Sequence, residues 1–183
     1  MKEKIILAAI EQFNRDGYRF HMDDIAKTLK ISKKTIYKYF AGKDALIAAV
    51  IGETFDSVHE AQRRIYADEK LSVQEKLRAI LTAESKYERH MEISRVEELE
   101  QDAPHLHAMI LQRYTTEWDF VRRLLEQGMD AGIFLPLPVE LVRGMLQEGM
   151  RMMHRDGFLL KNRLEYGPMI RTMVDIILRG IAA

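Results

Sequence analysis

The first 45 residues are divided by their own stop signals into three short helix-forming segments, and this constrains the fold more than any other feature. Ile6, Ala9, Ile10 and Phe13 recur at helical spacing until Asp16-Gly17, where the glycine is available for a left-handed terminus. Met22, Ile25, Ala26 and Leu29 make a second segment, with Asp23 and Asp24 near its start, where carboxylates suit the helix dipole. After the Lys30-Ile31 turn, Ser32 is a good N-cap for a third, and Ile31 is placed to staple onto Ile36. Ile36 and Phe40 then face inward, while Lys34, Tyr37 and Lys38 project from the other side. Three short helices burying one small cluster, the third almost polar on its outside, make the pattern of a helix-turn-helix.

The charge distribution says what such a unit meets. The 183 residues carry 28 Lys/Arg and 28 Asp/Glu, a formal net charge of zero, which on its face argues against nucleic acid. Residues 1–50, however, hold ten bases and six acids, and the six lysines between 26 and 43 (Lys27, Lys30, Lys33, Lys34, Lys38, Lys43) have no acid among them. A local basic surface on a neutral chain is an electrostatic footprint for phosphate, although a solvated helical face is the plainer explanation of any charge run. Lys33 and Lys34 sit in the first turn of the third helix and Lys43 in the first turn of the next, whose N-cap reads as Gly42. Each opposes the helix dipole at a cost of ~0.3–1 kcal/mol, which screening can absorb or an arriving phosphate can repay.

These residues carry a family resemblance. Gly17-Tyr18, Asp24-Ile25-Ala26, the run from Ile31 through Ser32-Lys33-Lys34-Thr35-Ile36-Tyr37-Lys38-Tyr39 to Phe40, and Lys43-Asp44-Ala45-Leu46 closely resemble, in order and spacing, the DNA-binding domain of tetracycline-repressor-like (TetR family) regulators. The resemblance implies that residues 33–39 form a recognition helix in the major groove. It implies that Thr35, Tyr37, Tyr39 and Lys43 hold phosphates, and that Lys33, Lys34 and Lys38 reach base edges or nearby phosphates. Two positions depart from the family pattern. Lys30 stands where a turn glycine is common, at a cost of ~1 kcal/mol if it is left-handed, and Lys34 stands where glycine is frequent, so no base preference carries over.

The rest of the chain reads as helical throughout, giving an all-α protein: a helix-turn-helix domain over residues 1–45 and a helical ligand-binding and dimerisation bundle over 46–183. A fourth helix runs from Lys43 to about Tyr66 and ties the two domains. A Ser72/Glu75 capping box opens a helix to about Met91, and a short acidic helix carries Ile93, Val96 and Leu99. Pro104 opens a long helix to Gly132, Pro138 another to about Gly157, and Pro168 sits at the start of the last. That last helix is apolar over more than half its circumference, which calls for a partner surface or a central place in a bundle. A two-fold dimer through Gly144, Gly149, Met169, Ile170, Met173, Val174 and Ile177 supplies the first. The family resemblance also implies a four-helix dimer interface from the last two long helices. A dimer would set two recognition helices about 34–36 Å apart on a palindromic operator.

The resemblance further implies an inducer cavity in the second domain. Leu77, Ile80, Leu81, Glu84, Tyr87 and Met91 fall on one helical stripe, with Glu84 either a ligand contact or a paired edge residue. Tyr114, Trp118 and Val121, with Met145, Met150 and Met153, are candidate lining residues for a small hydrophobic or amphipathic effector. Six of the 11 methionines lie between 145 and 173, and methionine at helical spacing serves core as well as pocket. His90, His105 and His107 have no metal-ligand spacing, so neither metal nor cofactor is expected. The chain has no cysteine, no glycine-rich phosphate loop, and neither GxSxG nor HExxH, so no enzyme is expected. With no apolar run near the ~20 residues of a membrane span and no signal-peptide pattern, a cytoplasmic protein without membrane contact is expected. The expected function is a DNA-binding transcriptional regulator: a ligand-responsive repressor, or alternatively a DNA-binding architectural or protein-interaction factor without an inducer.

Overall fold

The computed structural model describes residues 1–87, 93–116, 118–153 and 158–183, with all side chains in these ranges except those of residues 93–95, 97, 114–116 and 160. Its helices are α1 (Lys2–Asp16), α2 (Met22–Leu29), α3 (Lys33–Tyr37), α4 (Lys43–Ala67), α5 (Val73–Leu81), α6 (Ile93–Asp102), α7 (Pro104–Thr116), α8 (Asp119–Asp130), α9 (Val139–Met153), α10 (Phe158–Asn162) and α11 (Tyr166–Ile181), with a 3-10 turn at Gly17–Arg19. Among the described residues the only β feature is an isolated bridge between Phe134 and Ala182, so the fold is all-α.

The chain gathers into two compact units, Met1–Ser57 with Ser85–Gln112 and Val58–Glu84 with Arg113–Ala183. The unit that holds the helix-turn-helix therefore follows a different line from the division expected at residue 45. It adds the first half of α4, all of α6 and most of α7. In it α1 packs on α2, α2 on α3, and α6 on the 3-10 turn. Ile5, Ile10, Phe20, Ile25, Ile36, Leu46 and Leu99 are all buried in this unit. Ser57 Oγ and Ser85 Oγ, 2.8 Å apart, and a 3.3 Å bond from the Lys86 amide to Ser57 Oγ hold the two stretches of chain together.

In the second unit α5 packs on α8 and α11, and α9 lies against α8, α10 and α11. Leu77, Leu124, Phe134, Leu146, Val174 and Leu178 belong to its core cluster. Phe134 locks the end of α8. Its amide and that of Ile133 both donate to the Gly128 carbonyl, and its ring occupies the space a side chain at Gly128 would need. The following residues are pinned to the end of α11, where the Leu135 amide donates to the Ile181 carbonyl at 2.8 Å and the Ala183 amide to the Ile133 carbonyl at 3.1 Å.

Two helices differ from the lengths the spacing predicts. The helix opened by the Ser72/Glu75 capping box forms with both reciprocal bonds but stops at Leu81. Beyond it, Ser85 Oγ accepts the Tyr87 amide at 3.1 Å, and such local side-chain bonding competes with helix continuation. Glu84 and Tyr87 thus leave the stripe that begins at Leu77, and they fall in different units. The long helix from Pro104 is two helices, α7 and α8, with α8 starting at Asp119 after a non-helical Trp118.

The packing of Phe134 generates a stability prediction. Gly128→Ala forces a rigid ring to move and should destabilise the protein by about 1–3 kcal/mol. Gly149→Ala, whose new methyl would meet only the flexible thioether of Met173, should cost clearly less. Denaturant melts of both variants check this, and equal losses would contradict the assignment of Phe134 as the locking group.

Candidate nucleic-acid interface

The surface at α2 and α3 is built by a turn, a cap and one buried side chain. Lys30 is left-handed (φ 53°, ψ 42°), which turns the chain out of α2 and costs about 1 kcal/mol for a residue with a Cβ. Its amide donates to the Lys27 carbonyl and that of Ile31 to the Ala26 carbonyl, the paired bonds of a Schellman motif. Ser32, extended at φ −75° and ψ 148°, then caps α3 by accepting the Thr35 amide on Oγ at 3.1 Å. Ile36 is wholly buried and Phe40 nearly so. With that face turned inward, Lys33, Lys34, Tyr37, Lys38 and Tyr39 are exposed, while Thr35 is half-buried with its hydroxyl 2.9 Å from Ser32 Oγ. α3 is shorter than residues 33–39, ending at Tyr37 with Lys38 as its C-cap.

The six lysines divide into two groups, a distinction hidden in the sequence because the partners lie outside residues 26–43. Lys27 pairs with Asp24 at 3.4 Å and Lys33 with Asp23 at 2.9 Å. The Asp23 carboxylate raises the pKa of the Lys33 ammonium, through a hydrogen bond and then through its charge. Lys43 donates from Nζ to the Tyr18 carbonyl at 2.8 Å and lies 3.9 Å from the centre of the Tyr18 ring. Lys30, Lys34 and Lys38 meet no acid among the described residues. An ammonium has three protons, so Lys43 keeps two for a further acceptor.

Beside Lys43 lies a chain of polar contacts that sequence reasoning missed. The Tyr18 hydroxyl donates to Asp44 Oδ1, and His105 Nε2 on α7 is 2.9 Å from Asp44 Oδ2. Arg19 lies 3.6 Å from Asp102. The hydrogen bond from Tyr18, followed by that from His105, holds the Asp44 carboxyl below the usual carboxylate range. The Tyr18 phenol is pushed up to about 12, first by burial and then by its bond to Asp44. His105 and Asp44 are 61 residues apart with no motif joining them, so only the fold brings them together.

Among the described residues, the effector candidates fall at several places in the fold. Trp118 and Val121 line an open cleft of about 310 Å³ whose other walls are Asp119, Arg122, Leu125, Val139, Glu140 and Arg143. Glu84 is exposed and 3.6 Å from Arg171. Tyr87 is buried in the first unit, Met153 is buried in the second, Met150 packs on the second unit's core and Met145 is exposed. Met91 and the side chain of Tyr114 lie outside the described residues. The sequence reading also passed over Arg122 and Leu125, which continue the helical stripe from Trp118 and Val121 into the cleft.

The dimer candidates divide in a similar way. Ile170, Val174 and Ile177 are buried within the second unit's own core, and Gly149 is filled from the same chain by Met173. Met169 is half-buried, and a side chain at Gly144 would meet open space. Among the described residues of α9 and α11, the large apolar side chains that one chain leaves uncovered are Leu141 (59% exposed), Met145 (54%) and Met152 (43%) on one face of α9, and Ile176 (66%) on α11. They were missed because an apolar stripe in sequence does not show which part of it the chain's own core uses.

The Tyr18 environment yields a pH prediction. A phenol kept neutral by folding contributes stability that is complete below its unfolded pKa of about 10. That contribution is lost as pH climbs through about 12. Alkaline ultraviolet titration should show a late tyrosine that the Tyr18→Phe variant lacks. Identical curves would mean that the Tyr18–Asp44 bond does not form in solution.

Residues 5–50 match the family described as "Bacterial regulatory proteins, tetR family". Along its full length the chain is 24% identical to YvaF of Bacillus subtilis (strain 168), an HTH-type transcriptional regulator, covering 96% of that protein. Its fold is similar to that of the fatty acid degradation regulator FadR from Bacillus halodurans, with a TM-score of 0.74 at 22% identity, covering 99% of this chain and 100% of that one. It is equally similar to FadR from Bacillus subtilis, solved in complex with stearoyl-CoA (TM-score 0.73, 22% identity, 99% and 100% coverage). The capped α3, its outward lysines and tyrosines and the match over residues 5–50 together make the first part of this chain similar to the DNA-binding domain of the tetR family of bacterial regulatory proteins.

Proposed function

We propose that this regulator is a ligand-responsive repressor that binds a palindromic operator as a homodimer. The observation that carries the DNA reading is the outer face of α3, where Lys34 and Lys38 meet no acid among the described residues and Tyr37 and Tyr39 stand exposed beside them. That face offers cations for phosphates or guanine edges, and phenols for phosphate hydrogen bonds. In this assignment Thr35, Tyr37, Tyr39 and Lys43 hold the backbone of the duplex, while Lys33, Lys34 and Lys38 reach base edges or adjacent phosphates.

The dimer face is the uncovered stripe of Leu141, Met145 and Met152 together with Ile176. Exposed side chains of this size on two packed helices favour a second copy as the cover. The close approach of Met173 to Gly149 makes α9 and α11 one continuous surface, and open Gly144 leaves room for a partner helix.

The effector site is the Trp118 cleft. At about 310 Å³ it falls at the small end of ligand pockets, which span about 300–1,000 Å³. Its apolar floor (Val121, Leu125, Val139) and charged rim (Arg122, Arg143, Asp119, Glu140) suit an amphipathic molecule. The stearoyl-CoA bound to the FadR of Bacillus subtilis makes acyl thioesters the first ligands to test. A ligand preferring the conformation that mismatches the operator would shift the population away from DNA. The dispersal of the other candidate residues favours a second reading, a DNA-binding factor whose helical bundle takes no effector.

Selection from a randomised duplex library at moderate salt tests the proposal. A palindromic consensus is the expected result, and binding with no consensus would point to the architectural reading. Against the recovered operator, Lys43→Ala should weaken binding to all sequences about equally and flatten the salt slope by about 1. Lys34→Ala and Lys38→Ala should each either do the same or relax one base position, at a cost of about 1–3 kcal/mol. Unchanged affinity in both would move the reading surface away from α3.

A further inference from the structure

We propose that Asp23 is a specificity-determining residue of the DNA-binding surface: it holds the Lys33 ammonium out of the pool of cations available to any phosphate. The inference rests on the DNA-binding reading above. Lys33 is the first residue of α3 and Asp23 lies in the first turn of α2, so the pair spans the two helices of the helix-turn-helix. Their charged atoms are 2.9 Å apart with both side chains about half exposed (50% and 54%). No turn or cap requires this contact: α3 is capped by Ser32, and α2 keeps Asp24 in its first turn when Asp23 is removed.

What the pair does follows from its place on the reading surface. Lys33 lies beside Lys34, which meets no acid among the described residues, so the two adjacent lysines start from different states. Lys34 can join any phosphate at once. Lys33 must first leave Asp23, and the freed carboxylate then stands near the negatively charged duplex. Non-operator DNA offers only scattered phosphates in return for that exchange. A site that docks α3 fully in the groove offers a fixed acceptor, and the exchange becomes favourable there. The pair therefore weakens non-specific binding more than specific binding, which raises the ratio on which operator recognition depends.

Asp23→Asn tests this with a mixed-sequence duplex as the probe. The isosteric amide keeps the shape and frees Lys33. Non-operator affinity should rise about threefold to tenfold at low salt, with the slope of log affinity against log salt steeper by about 0.9, the signature of one additional phosphate neutralised. In a Lys33→Ala background the same Asp23 change should leave the slope unaltered. Library selection with the Asp23→Asn protein should also return a weaker consensus than the parent. A slope that stays the same in the single variant overturns the proposal. So does an equal gain in the Lys33→Ala background, because Asp23 would then act by repelling DNA and not by holding Lys33. If neither the parent nor the variant retains any duplex at low salt, the DNA-binding reading fails, and that outcome is distinct from binding with an unchanged slope.

Discussion

A helix of five residues has no stability of its own, because the cost of nucleating the first turn is never recovered. The proposed reading surface of this protein is such a helix, α3, so it depends on the burial of Ile36. That side chain is fully enclosed between the elements of the first unit, with Phe40 beside it, and it anchors α3 by a single face. The Ser32 cap fixes where the helix begins and the left-handed Lys30 fixes the angle at which the chain enters. The exposure of Lys33, Lys34, Tyr37 and Lys38 is then a geometric consequence: with Ile36 inside, nothing else in the segment can be.

The electrostatics of this surface are finer than its composition. Six lysines without an interleaved acid look like one undivided positive patch. The fold divides them into cations that already hold a partner and cations that meet no acid among the described residues, because Asp23 and Asp24 precede them on α2 and the Tyr18 carbonyl faces α4. Exposed pairs of this kind contribute about 0–1 kcal/mol to stability. Their consequence lies in which charges a phosphate meets first. The Tyr18–Asp44–His105 contacts join α7 to the first turn of α4 within the first unit.

The second unit is governed by packing more than by charge. Phe134 fills the space left by Gly128, and the chain beyond it is tied to the end of α11 by two backbone hydrogen bonds. The last helix spends most of its apolar circumference on this core. What α9 and α11 leave uncovered, Leu141, Met145 and Met152 with Ile176, is a narrower surface than the total hydrophobicity of the last helix implies. Among the described residues no helix is long and apolar enough to cross a membrane, so the uncovered stripe on α9 and α11 is a surface patch and not a span.

The sequence by itself determined the elements and the domain that reads DNA. Helical periodicity, caps and glycine stops are local signals, and α1, α2 and α3 begin and end close to where those signals put them. The family match over residues 5–50 falls on the same motif. Local signals also anticipated the Ser72/Glu75 capping box, whereas the left-handed conformation of Lys30 is read only from the structure. The tertiary structure alone decided which apolar residues are spent inside one chain, as with Ile170, Val174 and Ile177, and which are left over. It alone decided that α5 stops at Leu81, that Trp118 and Val121 meet Val139 and Arg143 in a cleft, and that Asp44 meets His105. The physical reason is the same in each case. Periodicity places a side chain on a face of its own helix, but what that face meets depends on residues tens of positions away, and no local pattern encodes it.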